Sequence, residues 1–210
     1  MGDLFIKQLV LGALQTNCYL ISHQETKETI VIDPAEEAER IQKVIEKDGL
    51  KLVAIFLTHG HFDHIGAADL LRKWYHVPIY CYKTEKELLE KPEWNLSEMF
   101  GRGISLKVDG VFQEGEKLHY LEKEILVIHT PGHTKGSCCF YFSEEGVLIS
   151  GDTLFAGSVG RTDFPTGSSQ ELKKSVLRIA GLPEETKIYP GHYEETTIFD
   201  EKQCNPFLVE

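Results

Sequence analysis

The sequence predicts an α/β fold in which two β-sheets face each other and helices cover their outer faces. Three observations carry that prediction. Short apolar or alternating runs of strand length are interleaved with amphipathic stretches of helical period. Each half of the chain places its strands first and a helix later. No segment rich in Pro, Gly or Ser divides the 210 residues, so the pattern reads as one sandwich domain over residues 1–210. A chain of this length can bury a sizeable core.

Residues 4–10 and 17–22 read as strands separated by Gly12. Residues 29–32 are β-branched and stop at Asp33-Pro34, because proline has no amide with which to continue a ladder. Over residues 35–47, Ala38, Ile41, Val44 and Ile45 recur at helical spacing among charges, and Gly49 supplies the stop. Residues 52–57 are a continuous apolar run, as expected of a strand buried on both faces. A helix over 66–74 follows, with Ala67, Leu70, Leu71 and Trp74 as its apolar face. Residues 78–81 suit a short strand, and 84–90 suit a helix opened by a Thr84/Glu87 capping box. Residues 92–103 have no period; their Trp94, Met99 and Phe100 suit core packing or a lid. The second half reads as strands at 118–121, 125–129, 137–142 and 147–150. A glycine-rich loop over 151–167, a helix near 169–180 and a strand at 187–189 complete it.

Composition narrows the function. A net charge of −11 argues against a nucleic-acid surface, which needs an excess of Lys and Arg. The five cysteines (Cys18, Cys81, Cys138, Cys139 and Cys204) are odd in number and contain no C-x-x-C, so a disulfide framework is not expected and a reducing compartment fits. Asp3, Lys7 and Gln8 break up the first apolar residues, unlike a signal peptide, and no apolar run approaches the ~20 residues that span a bilayer. The expectation is a cytoplasmic protein acting on a small molecule, with neither nucleic acid nor membrane as partner and its oligomeric state open.

The chemistry concentrates in Thr58-His59-Gly60-His61-Phe62-Asp63-His64-Ile65, between the end of the buried strand and the next helix. Active sites of open α/β sheets gather at such strand ends. Three later fragments repeat the arrangement: a strand runs into Thr130-Pro131-Gly132-His133, another into Gly151-Asp152-Thr153, a third into Pro190-Gly191-His192. Pro and Gly hold such turns in pre-set geometry, so the side chains converge with little ordering entropy. A workable partition puts His59, His61 and His133 on one metal and Asp63, His64 and His192 on a second, with Asp152 bridging. Imidazole and carboxylate donors without thiolate suit two divalent ions of zinc, iron or manganese and do not choose among them. Two ions so close would activate a water between them. Blander readings stand beside this one. His129 ends a β run and reads as structural or supporting. His23, His76 and His119 lie in polar or turn contexts and read as solvated, and Cys138 and Cys139 as core thiols. Asp33 reads equally as a carboxylate orienting a ligand and as a turn former.

The pattern from Thr58 to His64, followed in order by His133, Asp152 and His192, resembles the metallo-β-lactamase superfamily. The likeness runs from Asn17-Cys18-Tyr19-Leu20 to Asn205-Pro206-Phe207. It implies a four-layer αββα sandwich with the metals at one edge of the facing sheets. Departures narrow the subgroup. The commonest zinc β-lactamases carry a cysteine where Asp152 stands, so that activity is not expected. Flavodiiron-type members carry glutamate at the first histidine and a flavin domain, and tRNA-processing nucleases carry RNA-gripping elements; neither is evident here. Gly151-Asp152-Thr153-Leu154-Phe155 and Gly160-Arg161-Thr162-Asp163-Phe164 resemble glyoxalase II, nearest to its short, single-domain bacterial form. Two-domain members use a C-terminal helical domain to help hold glutathione; this chain ends about where that domain would start, which leaves the thiol open. Persulfide dioxygenases of the same fold share Gly-Arg-Thr-Asp-Phe and bind one iron, by alignment through His59, His133 and Asp152.

The resemblance therefore implies a metal-dependent hydrolase of an S-2-hydroxyacyl thiol, of the S-lactoyl-glutathione type, using a metal-bridging hydroxide. The alternative is a mononuclear iron persulfide dioxygenase. In the hydrolase, Asp63 orients the nucleophile or accepts its proton, and the thiolate leaves without a strong general acid. Arg161 is a candidate for a substrate carboxylate, or equally a structural arginine paired with Asp163. Lys135 and Tyr193, which flank ligand loops, are further substrate candidates.

Overall fold

Alternation along the strands sorts their side chains into three apolar cores. In the computed structural model, which describes residues 3–208, the first sheet runs in chain order through β1 (Leu4–Leu11), β2 (Thr16–His23), β3 (Glu28–Ile32), β4 (Lys51–Phe56), β5 (Ile79–Tyr82) and β6 (Gly110–Phe112). β1, β2 and β3 are antiparallel, and β3 to β6 are parallel. Parallel neighbours need crossovers. Helix α1 (Ala38–Lys47) makes the first, α2 (Phe62–Ile65) and α3 (Ala68–Tyr75) the second, and α4 (Lys86–Glu90) with a 3₁₀ turn at Glu98–Phe100 the third. The second sheet contains β7 (Lys117–Tyr120), β8 (Lys123–His129), β9 (Cys138–Phe142), β10 (Val147–Gly151), β13 (Lys187–Pro190) and β14 (Thr196–Thr197) in the order β14-β13-β10-β9-β8-β7. Its one parallel pair, β10 with β13, is bridged by a hairpin of β11 (Leu154–Phe155) and β12 (Ser158–Val159) and by helix α5 (Ser169–Ile179). Helix α6 (Ile198–Cys204) follows β14.

Ile30 and Ile32 face inward with Phe56 and meet Val127, Phe140 and Ile149 of the second sheet. Their neighbours Val31, Ile55 and Leu57 face outward onto Ile41, Ile45 and Leu71. On the far side, Cys139, Leu148 and Ile188 pack under Leu172, Val176 and Ile179. A period of two along buried strands thus yields the αββα sandwich. Phe56 anchors the middle layer, its ring 4.9 Å from Phe112 and 5.3 Å from Phe140, a burial that contributes roughly 1.5–3 kcal/mol. Among the described residues no helix is long and apolar enough to cross a membrane.

Several local expectations change. Helix α1 starts at Ala38 rather than residue 35, because Asp33 and Glu37 adopt left-handed conformations (φ 51° and 56°) that delay helical winding. The capping box does not form: Thr84 Oγ1 donates to the Lys135 carbonyl instead (3.2 Å), and no side chain caps α4. On α3, Ala68 and Leu71 turn inward, leaving Leu70 and Trp74 partly in solvent. His23 is buried rather than solvated, since β2 extends to pair it with Leu4, and its Nδ1 accepts from the Thr26 amide. His76 and His119 are exposed, and Cys138 and Cys139 are buried thiols, as the sequence implies. The short elements β6, β11, β12, β14 and α6 lie outside the sequence-derived set.

Main-chain hydrogen bonds join the two sheets at one edge. Cys138 N donates to Thr58 O (2.9 Å), and Asn17 N donates to Gly191 O (2.7 Å). The loops that follow β4, β8, β10 and β13 meet there.

Candidate metal centre

Each of the four strand ends delivers side chains to this edge. β4 leads into His59, and the short α2 with its N-cap carries His61, Asp63 and His64. β8 leads into His133, β10 into Asp152 and β13 into His192. All except the partly covered His192 are buried. Their donor atoms form two sets. In the first, His59, His61 and His133 each offer a ring nitrogen within 4.8 Å of the others; in the second, a carboxylate oxygen of Asp63 and ring nitrogens of His64 and His192 lie equally close. His61 Nδ1 lies 2.9 Å from His133 Nε2. Asp63 Oδ2 lies 3.5 Å from His64 Nε2 and 3.4 Å from His192 Nε2. Asp152 touches both sets: Oδ2 is 3.5 Å from His133 Nε2 and 3.5 Å from His192 Nε2, and Oδ1 is 3.4 Å from His64 Nε2. The glycine before His192 makes this approach possible, since a Cβ at Gly191 would fall 2.1 Å from Asp152 Oδ1.

The donors fit a metal by what they lack. His59 Nε2, His61 Nε2, His64 Nε2 and Asp152 Oδ1 are buried without a hydrogen-bond partner. Each such atom costs about 1–3 kcal/mol unless a ligand satisfies it. The field also differs between the sets. Burial, then the neighbouring imidazoles, hold His59 and His61 well below the usual histidine value. Burial likewise lowers His133, against the pull of Asp152. Burial would lower His64 too, but Asp63, Asp152 and Asp33 outweigh it and raise the ring to about 10. His192 is raised by Asp152 and Asp63 over its own burial. Burial opposes ionisation of Asp63, yet His64, His192 and the Thr16 hydroxyl keep it below the ordinary carboxylate range. The second set therefore calls for positive charge.

Asp33 resolves into both of its readings. Its backbone is left-handed (φ 51°), as in a turn, and its carboxylate accepts from Thr58 N (2.8 Å) and Thr58 Oγ1 (2.6 Å). The same Oδ2 faces His64 Nδ1 at 2.9 Å, which orients that ring and leaves Nε2 for the cluster. Asp33, His59 and His64 also satisfy the spacing of a donor set, but Asp33 is already engaged by these partners. His129 is structural: it stacks on Tyr82 (4.0 Å, 7°), and its Nε2 contacts the Lys135 carbonyl (2.9 Å), bracing the loop that holds His133.

A family model of the metallo-beta-lactamase superfamily matches residues 11–192. The chain belongs to the metallo-β-lactamase superfamily. It is 38% identical to hydroxyacylglutathione hydrolase GloC of Haemophilus influenzae, covering 97% of each chain. It is 35% identical to the probable metallo-hydrolase YqgX of Bacillus subtilis, covering 96% of each. Among solved structures, the BLEG-1 B3 metallo-beta-lactamase superposes with a TM-score of 0.94 at 39% identity, over 98% of this chain and 100% of that one. TTHA1623 in a di-iron-bound form gives 0.86 at 36%, over 96% and 100%. ETHE1 from Myxococcus xanthus gives 0.76 at 28%, over 96% and 83%. At this level the superfamily member is a metal-dependent hydrolase, with a His/Asp cluster suited to divalent metal.

Within the superfamily fold, the structure adds supports that no motif announced. Glu85 is fully buried and accepts from Gly60 N and Gly136 N, both at 2.8 Å. One carboxylate thereby bolts the His59-Gly60-His61 turn to the loop after His133. Gly136 must be glycine to come this near, because a Cβ would meet Glu85 N at 2.4 Å. Burial lifts the Glu85 carboxyl to about 7, against the pull of Thr134 and the two amides. Asn17 Nδ2 donates to the carbonyls of Pro190 (2.9 Å) and Tyr193 (2.8 Å), and Tyr19 Oη donates to Pro190 O (2.6 Å), fixing the His192 loop. The one available sequence signal was a polar Asn17 at the head of an otherwise apolar strand.

The cluster forms the floor of a cavity of about 460 Å³. Tyr193 and Arg161 border it. Arg161 is turned onto Asp163 in a two-pronged pair (2.7 and 2.6 Å), the structural arrangement its sequence context allowed, while its carbonyl accepts from His133 Nδ1 (2.7 Å). Lys135 is exposed and absent from the cavity lining, so the structure does not bring it to the site. Its main chain serves the site instead, through His129.

Proposed function

We propose that this chain is a thioester hydrolase acting on S-2-hydroxyacyl thiols, with two divalent ions, zinc foremost, as cofactors. His59, His61 and His133 would hold one ion and Asp63, His64 and His192 the other. The observation that carries the reading is the position of Asp152, whose oxygens reach both donor sets at 3.4–3.5 Å. The 38% identity to GloC over nearly all of both chains supports the substrate class.

Bound divalent metal supplies Lewis acidity toward a thioester carbonyl and lowers the pKa of water. The chain's residues do the rest. Asp63 stays ionised at neutral pH and is held by Thr16 Oγ1, which donates to its Oδ2 (2.8 Å), so it can orient an attacking water and hold its proton. Asp33 fixes the His64 ring, and Glu85 fixes the spacing between the turn of His59 and His61 and the loop of His133. Water adds to the carbonyl carbon, the C–S bond breaks, and the thiolate departs without a dedicated acid. Tyr193 and Arg161, at the cavity's edge, are the substrate contacts in this reading.

The likeness to ETHE1 keeps a second reading in play, an iron persulfide dioxygenase using His59, His133 and Asp152. The residues of the second donor set are compatible with both readings; the higher identity to GloC, 38% against 28% for ETHE1, favours the hydrolase. Metal analysis paired with thioester turnover decides between them. The expected result is close to two metals per chain and release of free thiol from S-lactoyl thioesters without oxygen uptake. One iron per chain, with oxygen consumed only when a persulfide is added, overturns the hydrolase.

A further inference from the structure

The cavity above the cluster has an apolar mouth assembled from separate parts of the chain. Leu14 comes from the β1–β2 turn, Leu96 and Phe100 from the segment before β6, Phe155 from the β11–β12 hairpin and Tyr193 from the loop after β13; Phe62 completes the ring. Leu14, Phe100 and Tyr193 remain 44%, 53% and 66% exposed. Large apolar side chains held in water around a polar cavity are a mark of a ligand groove. These side chains are also held in place. Phe100 stacks on buried Phe62 with ring centroids 4.4 Å apart, and Tyr193 meets Phe155 edge-on at 5.6 Å.

Charge at the mouth points the same way. Among the described residues, Arg161 is the one Lys or Arg side chain lining the cavity; Asp163 holds its guanidinium at two points, and the guanidinium lies 3.9 Å over the Phe164 ring. Arg102, beside Phe62, is paired with Glu36 at 2.9 Å. An anionic arm would compete with Asp163 for Arg161, whereas an apolar arm covers side chains that are still partly in water.

Resting on the thioester reading above, we propose that the preferred substrates carry an apolar, aryl- or alkyl-type thiol arm rather than an anionic peptide such as glutathione. The small hydroxyacyl end, rich in oxygen, suits the His/Asp floor. The thiol arm then occupies the mouth between Leu14, Phe100 and Tyr193.

The test holds the acyl group constant and varies the arm. Metal-replete protein is assayed with S-lactoyl benzyl thiol and with S-lactoylglutathione, and calorimetry measures binding of benzyl methyl sulfide and S-methylglutathione, which cannot be cleaved. The expected kcat/KM is at least tenfold higher for the benzyl thioester. Phe100→Ala and Leu14→Ala should each shrink that preference severalfold by raising KM for the benzyl substrate. Equal or better turnover of the glutathione thioester, or a preference untouched in both variants, overturns the proposal. If neither thioester is cleaved, the hydrolase reading fails, and calorimetry still decides the arm. Tighter binding of the benzyl sulfide sustains the apolar mouth, and equal or weaker binding rejects it.

Discussion

The two donor sets share one carboxylate yet sit in opposite electrostatic settings. His59, His61 and His133 lie buried against one another; burial depresses all three, and the neighbouring imidazoles add to it at His59 and His61. A few ångströms away, His64 faces Asp33, Asp63 and Asp152 and is raised to about 10. The first set is thus made of neutral imidazoles at pH 7, with lone pairs ready for an ion. The second holds protons that an ion must displace. Two ions in one cleft need not bind by the same pH law.

The largest test removes what the sets share. Asp152→Ala should cut thioester turnover on the order of 10³-fold or more and lower bound metal at both sets, read by steady-state kinetics and elemental analysis. Full turnover in that variant would sink the shared-carboxylate arrangement.

A second test separates the sets. His64 is raised in the metal-free fold, so its proton remains bound below pH 10 and must leave when the ring becomes a ligand. Calorimetric metal titrations at pH 7, in buffers of different ionisation enthalpy, should show about one or more protons released in the step assigned to the second set and none in the first. Affinity of the second set should climb about tenfold per pH unit in that range. Two pH-independent steps would erase the distinction.

Glu85 probes the first set alone. Glu85→Gln keeps the volume but offers only one acceptor oxygen to the two amides, so metal affinity of the His59/His61/His133 set should weaken about tenfold with the other set unmoved. Stability carries a sign as well. The folded carboxyl titrates near 7 against 4.5 for an ordinary glutamate. Its contribution is complete below pH 4.5 and is lost as the pH rises to about 7. Relative to the variant, the wild type should therefore lose ~3 kcal/mol across that window in urea melts. A flat difference would mean that the buried carboxyl is not raised.

The same division between local and distant information governs what could be read in advance. Strands such as β3 and β4 were legible because burial on two faces leaves an unbroken apolar run. The short elements were not: β6 has three residues including Gly110, and β14 two, too few for any period. Helical spacing misplaced the inner face of α3, where small Ala68 beside Leu71 lets the helix pack close and leaves Leu70 and Trp74 out. Thr84 formed no capping box because the Lys135 carbonyl, 51 residues away in sequence, took its hydroxyl.

The donors themselves were written locally. His59, His61, Asp63 and His64 crowd into one turn, and His133, Asp152 and His192 each follow a strand in a turn of small residues. Sequence alone therefore determined the strand-end layout, the donor types and the family they resemble, because these depend on residue type and short-range spacing. Only tertiary structure decided that Asp152 reaches both sets, that Glu85 and Asp33 brace them, that Arg161 is committed to Asp163 while Lys135 stays outside, and that Leu14, Phe100 and Tyr193 share one mouth. The physical reason is that each of these rests on contacts or cavity walls that form only once the two sheets have packed face to face, and spacing along the chain carries no measure of that closure.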